Sequence, residues 1–153
     1  MKVSEPLRIA VIHGPNLNLL GSREPDKYGQ MSLSAINQML QEVAEANGAV
    51  LSVFQSNSEG DLVTFIQTGG AESAGILINP AAYTHTSVAI RDALLAVDRP
   101  TVEVHLTNPD QRESFRHCSL IADIVEARIA GFGAESYRLG LLGLLANLRK
   151  ASE

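Results

Sequence analysis

The chain has 153 residues, 45% hydrophobic and 19% charged, the size and composition of one globular domain built on a single core. Its 12 basic and 17 acidic residues leave a net charge of −5, which argues against the basic stripe of a general nucleic-acid surface, and no apolar run approaches the roughly 20 residues of a membrane span. Met1 to Pro6 lacks the basic start and apolar stretch of a secretory signal, so a water-soluble, cytoplasmic protein with a small-molecule partner is expected.

The first apolar, β-branched run covers 8–12 and leads into His13-Gly14-Pro15-Asn16. A glycine- and proline-bounded loop follows, Arg23-Glu24-Pro25-Asp26-Lys27-Tyr28-Gly29, long enough to fold over a pocket as a lid. Ile36, Met39, Leu40 and Val43 then fall at i, i+3, i+4 and i+7, and Asn47-Gly48 supplies a left-handed stop, which predicts a crossover helix. A second strand at 50–54 runs into Gln55-Ser56-Asn57, and Ser58 with Asp61 marks a helix start. The third strand, 75–78, ends at Asn79-Pro80, and the fourth, 101–104, at His105. Asn108-Pro109-Asp110-Gln111 reads as a helix opening, with a capping side chain, a first-turn proline and a capping-box glutamine. Cys118, the only cysteine, has no thiol partner for a disulfide, zinc or redox pair and is expected to pack half-buried on a helix.

A fifth strand at 128–130 precedes a last helix from about 135 to 150, whose stripe of Tyr137, Leu141, Leu144, Leu145 and Leu148 is read as core. The strands have the composition of strands buried on both faces. Alternation of strand and helix throughout predicts an α/β, flavodoxin-like three-layer sandwich with a five-stranded parallel sheet. Ligands of such sheets bind beyond the carboxyl ends of the strands, and here those ends are unusually polar.

No G-x-G-x-x-G follows the first strand, and there is no Walker-type loop and no G-x-S-x-G elbow. Lys2, Lys27 and Lys150 lie at the termini or in a loop, not on a strand facing a pocket, which disfavours a Schiff base. His13, His85, His105 and His117 show no tight metal-ligand spacing. Neither a metal nor a cofactor is therefore expected, and acid–base chemistry remains. His105 and Glu103 share one strand face because side chains alternate. The carboxylate could orient the imidazole or favour its protonated form, or the two could be a structural pair. A tyrosine such as Tyr28 can act as a base where guanidinium groups stabilise phenolate, and Arg23 and Arg112 are candidates for that. His13 is read as a hydrogen-bonded structural residue and His117 as a solvated helix residue.

Taken together, Gly14-Pro15-Asn16-Leu17-Asn18, Arg23-Glu24-Pro25 with Tyr28-Gly29, Gln55-Ser56-Asn57, Asn79-Pro80-Ala81, Thr84-His85-Thr86-Ser87, Arg91-Asp92-Ala93, Glu103-Val104-His105 and Arg112 to Arg116 resemble the type II 3-dehydroquinate dehydratases, from about Leu7 to Leu145. The resemblance implies dehydration of 3-dehydroquinate to 3-dehydroshikimate through an enolate, without cofactor or metal, in the shikimate or quinate pathway. By position, Tyr28 would be the base, Arg23 would hold it as phenolate, and His105 would be the acid, oriented by Glu103. Asn16 would position a water that stabilises the enolate. Asn79, His85 and Arg116 would bind ring hydroxyls, and the amides of Leu106 and Thr107 the carboxylate, ahead of the helix opened by Asn108. Arg112 would also face substrate. Asp92 would reach a neighbouring subunit's pocket, because such proteins form homo-oligomers, trimers that group into dodecamers. Thr107 stands where serine is frequent in that family, and Glu126 and Arg128 place charge where small or apolar residues are frequent.

Three other readings compete with this one. A different cofactor-free lyase or isomerase would keep the base and acid but change the hydroxyl-binding residues. A non-catalytic binding protein of the same fold would be expected to lack Tyr28, Arg23 or His105. A phosphate-receiving signalling domain would need an acidic cluster after the first strand and a strand-end lysine, which the sequence lacks.

Overall fold

Runs rich in Ile, Val and Leu favour extended backbone that packs on both faces, and the five predicted runs do form strands. The protein is described from a computed structural model covering residues 4–22 and 31–153. Strands β1 (Leu7–His13), β2 (Ala49–Gln55), β3 (Gly75–Asn79), β4 (Thr101–His105) and β5 (Ala127–Ala130) make one parallel sheet in the order β2-β1-β3-β4-β5. This is the flavodoxin-like order. Burial on both faces holds for β3 and β4 and for most of β1, but not for the edges: β2 exposes Val50, and every residue of β5 is exposed or half-buried.

Helix α1 (Leu33–Ala46) starts where the Ser32 hydroxyl accepts from the Ala35 amide at 3.1 Å, and it stops at Gly48, which adopts a φ of 67°. Helix α2 (Glu59–Phe65) is capped by Ser58, which accepts from the Asp61 amide at 3.2 Å, and it continues into a π turn over Ile66–Gly70. Helix α3 (Val88–Val97) was not picked out from the sequence, although Ser87 caps it and Ile90, Ala93 and Leu94 face the core. Helix α4 (Ala134–Ala151) buries Tyr137, Leu141, Leu144 and Leu145 as expected, with Leu148 partly buried at the same core.

The expected helix after Asn108 is a single 3-10 turn, Pro109–Gln111, although Asn108 Oδ1 does accept from the Asp110 amide at 3.1 Å. So short a turn aligns few peptide dipoles. The predicted helical setting of His117 is likewise only the end of a 3-10 turn, Ser114–Arg116. Cys118 is exposed in irregular chain, contrary to the half-buried packing expected of it.

Side chains alternate along each strand, so the sheet has two cores. Ile9, Val11, Leu77, Val102 and Val104 face α1 and α4, while Ala10, Ile12, Ile76 and Ile78 face α2 and α3. Glu103 and His105 therefore belong to the second face. Among the described residues, no helix is long and apolar enough to cross a membrane.

Helix α4 packs tightly on the sheet at Gly140, where a Cβ would lie 2.7 Å from Val104 Cγ1 and 3.0 Å from Leu77 Cδ1. Both neighbours are buried in the first core. Gly140→Ala should therefore destabilise the protein by about 1–3 kcal/mol through overpacking, despite alanine's better helix propensity. A urea titration with unchanged slope and a lower midpoint would show this; an equal or higher midpoint would mean that α4 moves away without cost.

Candidate active site

The carboxyl ends of β1, β3 and β4 meet around one depression. At its base β1 and β3 are locked together: the Gly14 amide donates to the Asn79 carbonyl at 2.8 Å, and a Cβ on Gly14 would fall 2.3 Å from the Pro80 carbonyl oxygen. Only glycine allows this approach. Two residues on, Asn16 takes a left-handed φ of 69°, which asparagine tolerates, and its amide donates to Asn57 Oδ1 at 3.0 Å. Gln55 Nε2 donates to both the Gly14 carbonyl and Asn57 Oδ1 at 3.2 Å. The Gln55-Ser56-Asn57 segment thus braces the turn that presents Asn16.

His13 lies on the other face of β1, completely buried. Its Nε2 is 2.8 Å from Asn37 Oδ1 on α1 and its Nδ1 is 2.8 Å from the Tyr137 hydroxyl on α4. An amide oxygen can only accept, so Nε2 carries the ring proton and Nδ1 accepts from the phenol. Burial pushes the His13 imidazole down to about 4, with the Asn37 bond opposing. Burial also drives the Tyr137 phenol upward. His13 is thus the hydrogen-bonded structural residue that was expected.

On β4, Glu103 has no exposed surface and His105 is 7% exposed. Glu103 Oε2 accepts from His105 Nε2 at 2.5 Å and from the Thr84 hydroxyl at 2.6 Å. Oε1 accepts from the Ser119 hydroxyl and from Arg128 Nε, each at 2.9 Å. Burial alone would raise the carboxyl's pKa. The bonds from His105 and Thr84 and the charges of His105 and Arg128 outweigh it and hold the group down at about 2. The buried carboxylate is therefore ionised and fully partnered. With Nε2 engaged, Nδ1 is the nitrogen of His105 left for other chemistry.

These ends enclose a cavity of about 120 Å³. Of the expected site residues, Asn16, Asn79, His85, His105, Leu106, Thr107, Arg112 and Arg116 all line it. Asn79 Oδ1 accepts from the Ala81 amide at 3.0 Å, which fixes its side chain. His85 Nδ1 donates to the Cys118 carbonyl at 2.8 Å, so Nε2 is its unprotonated nitrogen. Burial lowers the His85 pKa, assisted by the charges of His105 and Arg116 and opposed by the Cys118 bond. Arg116 Nε donates to Glu113 Oε2 at 2.6 Å, and its guanidinium lies 5.1 Å from the Phe115 ring centroid. The described lining contains two arginines and two histidines but no Asp or Glu, the opposite sign to the chain's net charge. Such a wall favours an anionic ligand.

Glu103 stands behind His105 rather than on the wall, and Asp92 is exposed on α3 away from this cavity. Arg23 and Tyr28 fall outside the described residues. Sequence reasoning missed three partners of Glu103: Thr84, Ser119 and Arg128. The strand register, which pairs Glu103 with Arg128, was the available signal for the last. Leu17, Leu19 and Leu20, which form an apolar wall, were also missed. Among the described residues, no three His, Cys, Asp or Glu side chains converge to hold a metal ion.

The family model described as "Dehydroquinase class II" matches residues 7–145. A 3-dehydroquinate dehydratase of Nostoc sp. is 56% identical over 145 residues, covering 95% of this chain and 99% of its own. One from Acaryochloris marina is 58% identical over 141 residues, covering 92% and 95%. Among solved structures, a type II dehydroquinase from Butyrivibrio crossotus superposes with a TM-score of 0.89 at 38% identity, covering 92% of this chain and 99% of that one.

Two strongly shifted buried groups, His13 and Glu103, give stability two separate pH windows. His13 titrates near 6.5 when free of the fold and at about 4 within it. The unfolded chain therefore binds the extra proton between those values, and stability falls as pH drops through them. Glu103 goes from 4.5 to about 2, so its contribution is present above 4.5 and is lost as pH falls toward 2. Each window is worth on the order of 3 kcal/mol. Denaturant unfolding followed against pH should show both slopes, with His13→Gln flattening most of the upper and Glu103→Gln most of the lower. An upper slope unchanged in His13→Gln would assign it to another group, such as His85, whose pKa burial also lowers.

Proposed function

The chain belongs to the class II dehydroquinase family, and from that premise we propose that it dehydrates 3-dehydroquinate to 3-dehydroshikimate through an enolate, with tyrosinate as base and histidine as acid. The observation that carries this reading is the Glu103–His105 pair, 2.5 Å apart, at the wall of a cavity whose described lining is basic and free of carboxylates.

In the proposed reaction a phenolate removes the proton on C2, and the electron pair moves toward the adjacent ketone as an enolate. When the enolate collapses, the new C=C bond forms as the C–O bond to the leaving hydroxyl breaks, and His105 supplies the proton that lets it leave as water. One proton is taken and one given, so the reaction is balanced without redox change. Ionised Glu103 holds Nε2–H, which leaves Nδ1 as the atom that delivers the proton.

For the base, the chain has three tyrosines. Tyr137 is fully buried with its phenol pushed upward, and the Tyr83 hydroxyl donates to the Asn57 carbonyl at 2.8 Å. Tyr28 is the remaining one, with Arg23 five residues earlier to stabilise its phenolate. Asn16, on its left-handed turn, would orient a water on the enolate oxygen. Asn79, His85 and Arg116 would take the ring hydroxyls, and the amides of Leu106 and Thr107 the carboxylate. Arg112 adds positive charge on that side of the cavity.

We also propose that Asp92 completes a neighbouring copy's pocket in a homo-oligomer, trimers grouped as a dodecamer. The exposed face of α3 supports this, because Val88 and Leu95 flank Asp92 at 57% and 52% exposure. Two such apolar residues are better covered than left in water.

Purified protein should convert 3-dehydroquinate to a product with the ultraviolet absorption of a conjugated enone, and it should do so after chelation and after borohydride treatment. His105→Ala and Tyr28→Phe should each lower kcat by about 10²–10⁴-fold with little change in substrate binding. Near-normal kcat in either variant would remove that residue from its role. Absence of turnover in folded protein would favour the binding-protein reading.

A further inference from the structure

Glu103 has more donors than its burial requires. The hydroxyls of Thr84 and Ser119, with His105 Nε2, already supply both oxygens. Arg128 adds a fourth donor and, unlike the hydroxyls, a full charge, with Nε 2.9 Å from Oε1. Its position follows from the sheet: β4 and β5 are parallel with Glu103 opposite Arg128, so the two side chains share one face. The Arg128 side chain is 37% exposed while that of Glu103 is fully buried, so the pair extends from the edge of the sheet to the imidazole.

Resting on the reading of His105 as the acid, we propose that Arg128 is a positioning residue for that acid. Its charge on Oε1 offsets the pull of Glu103 on the His105 proton and so sets the pH range of the reaction. A bare carboxylate at 2.5 Å would stabilise imidazolium and make it a reluctant donor. A carboxylate already paired with guanidinium still orients the ring but holds the proton less tightly.

The other groups around this pair are accounted for by element. The 3-10 turn Ala81–His85 brings Thr84 and His85, and the segment after β4 brings Ser119, Arg112 and Arg116, the last paired with Glu113. Arg128 is bonded directly to Glu103 through Nε.

Three substitutions separate charge from fit. Arg128→Gln keeps an N–H donor for Oε1 but removes the charge; the high-pH limb of kcat/KM should move up by about one pH unit, with several-fold lower kcat near neutrality. Arg128→Lys keeps the charge and should leave the limb close to its original position. Arg128→Met, with neither charge nor donor, should match the glutamine variant and serves if the latter does not fold. Nitrogen NMR of the His105 ring in substrate-free protein should show the same displacement.

An unchanged ring titration in the folded glutamine or methionine variant overturns the role of Arg128 and leaves His105 as the acid untouched. Equal displacement in the lysine variant also overturns it, since fit and not charge would then be responsible. A displaced ring titration with an unmoved rate profile overturns the assignment of His105 as the acid, and this role with it.

Discussion

Burying an ionised carboxylate without compensation is prohibitively costly, and at Glu103 the fold answers with donors drawn from four places. His105 comes from the same strand, Thr84 from the turn after β3, Ser119 from the segment before β5, and Arg128 from β5 itself. Those contacts tie the outer edge of the sheet to its centre. They also fix the chain on both sides of the cavity, because the turn that carries Thr84 carries His85 next to it, and the stretch that ends at Ser119 contains Arg112 and Arg116. Cavity-lining residues are thus held in place by a charge that is not itself on the described wall.

The opposite side of the sheet follows the same logic with neutral groups. Asn37, His13 and Tyr137 form a buried chain of hydrogen bonds linking α1, β1 and α4 beneath the cavity. Because burial keeps His13 uncharged at neutral pH, this chain costs no ion desolvation. The two faces therefore respond differently to acid: one is disrupted by gaining a charge, the other by losing one.

Much of this was legible in the sequence because β-strands beyond their ends expose side chains in a fixed direction. Polar residues at 13, 55, 79 and 105 terminate hydrophobic runs, and the parallel arrangement gathers those ends at one edge of the sheet, so the cavity's location followed from the run boundaries, which put Asn79 and His105 in its wall, whereas His85 and Arg116 were expected from the family resemblance. What stayed hidden depended on register and on short irregular chain. Whether Arg128 meets Glu103 or solvent changes with a one-residue slip of β5. Ser119 reaches Glu103 from a segment with no periodicity to read. The sequence Asn108-Pro109 promised a helix, yet only one 3-10 turn forms; a good N-cap stabilises a start but supplies nothing to propagate it. Helix α3 was overlooked for the opposite reason, its cap Ser87 having been read within a motif rather than as a structural signal.

The arrangement also explains how an acidic chain presents a basic cavity. Glu103 contributes its negative charge one layer behind the wall, where three neighbours and an arginine absorb it, and Glu113 is drawn off by Arg116 at the rim. At the described wall a ligand would therefore meet guanidinium and imidazole, while Glu103 and Glu113 stay off it. A substrate carboxylate gains from that separation, because repulsion falls with distance while the hydrogen bonds that orient each cation are kept. Moving Glu103 one position along β4 would turn its side chain to the other face, where Val102 and Val104 pack against α4. The alternation of the strand thus puts the carboxylate on the same face as His105, and its place two residues before the strand end keeps it off the described wall.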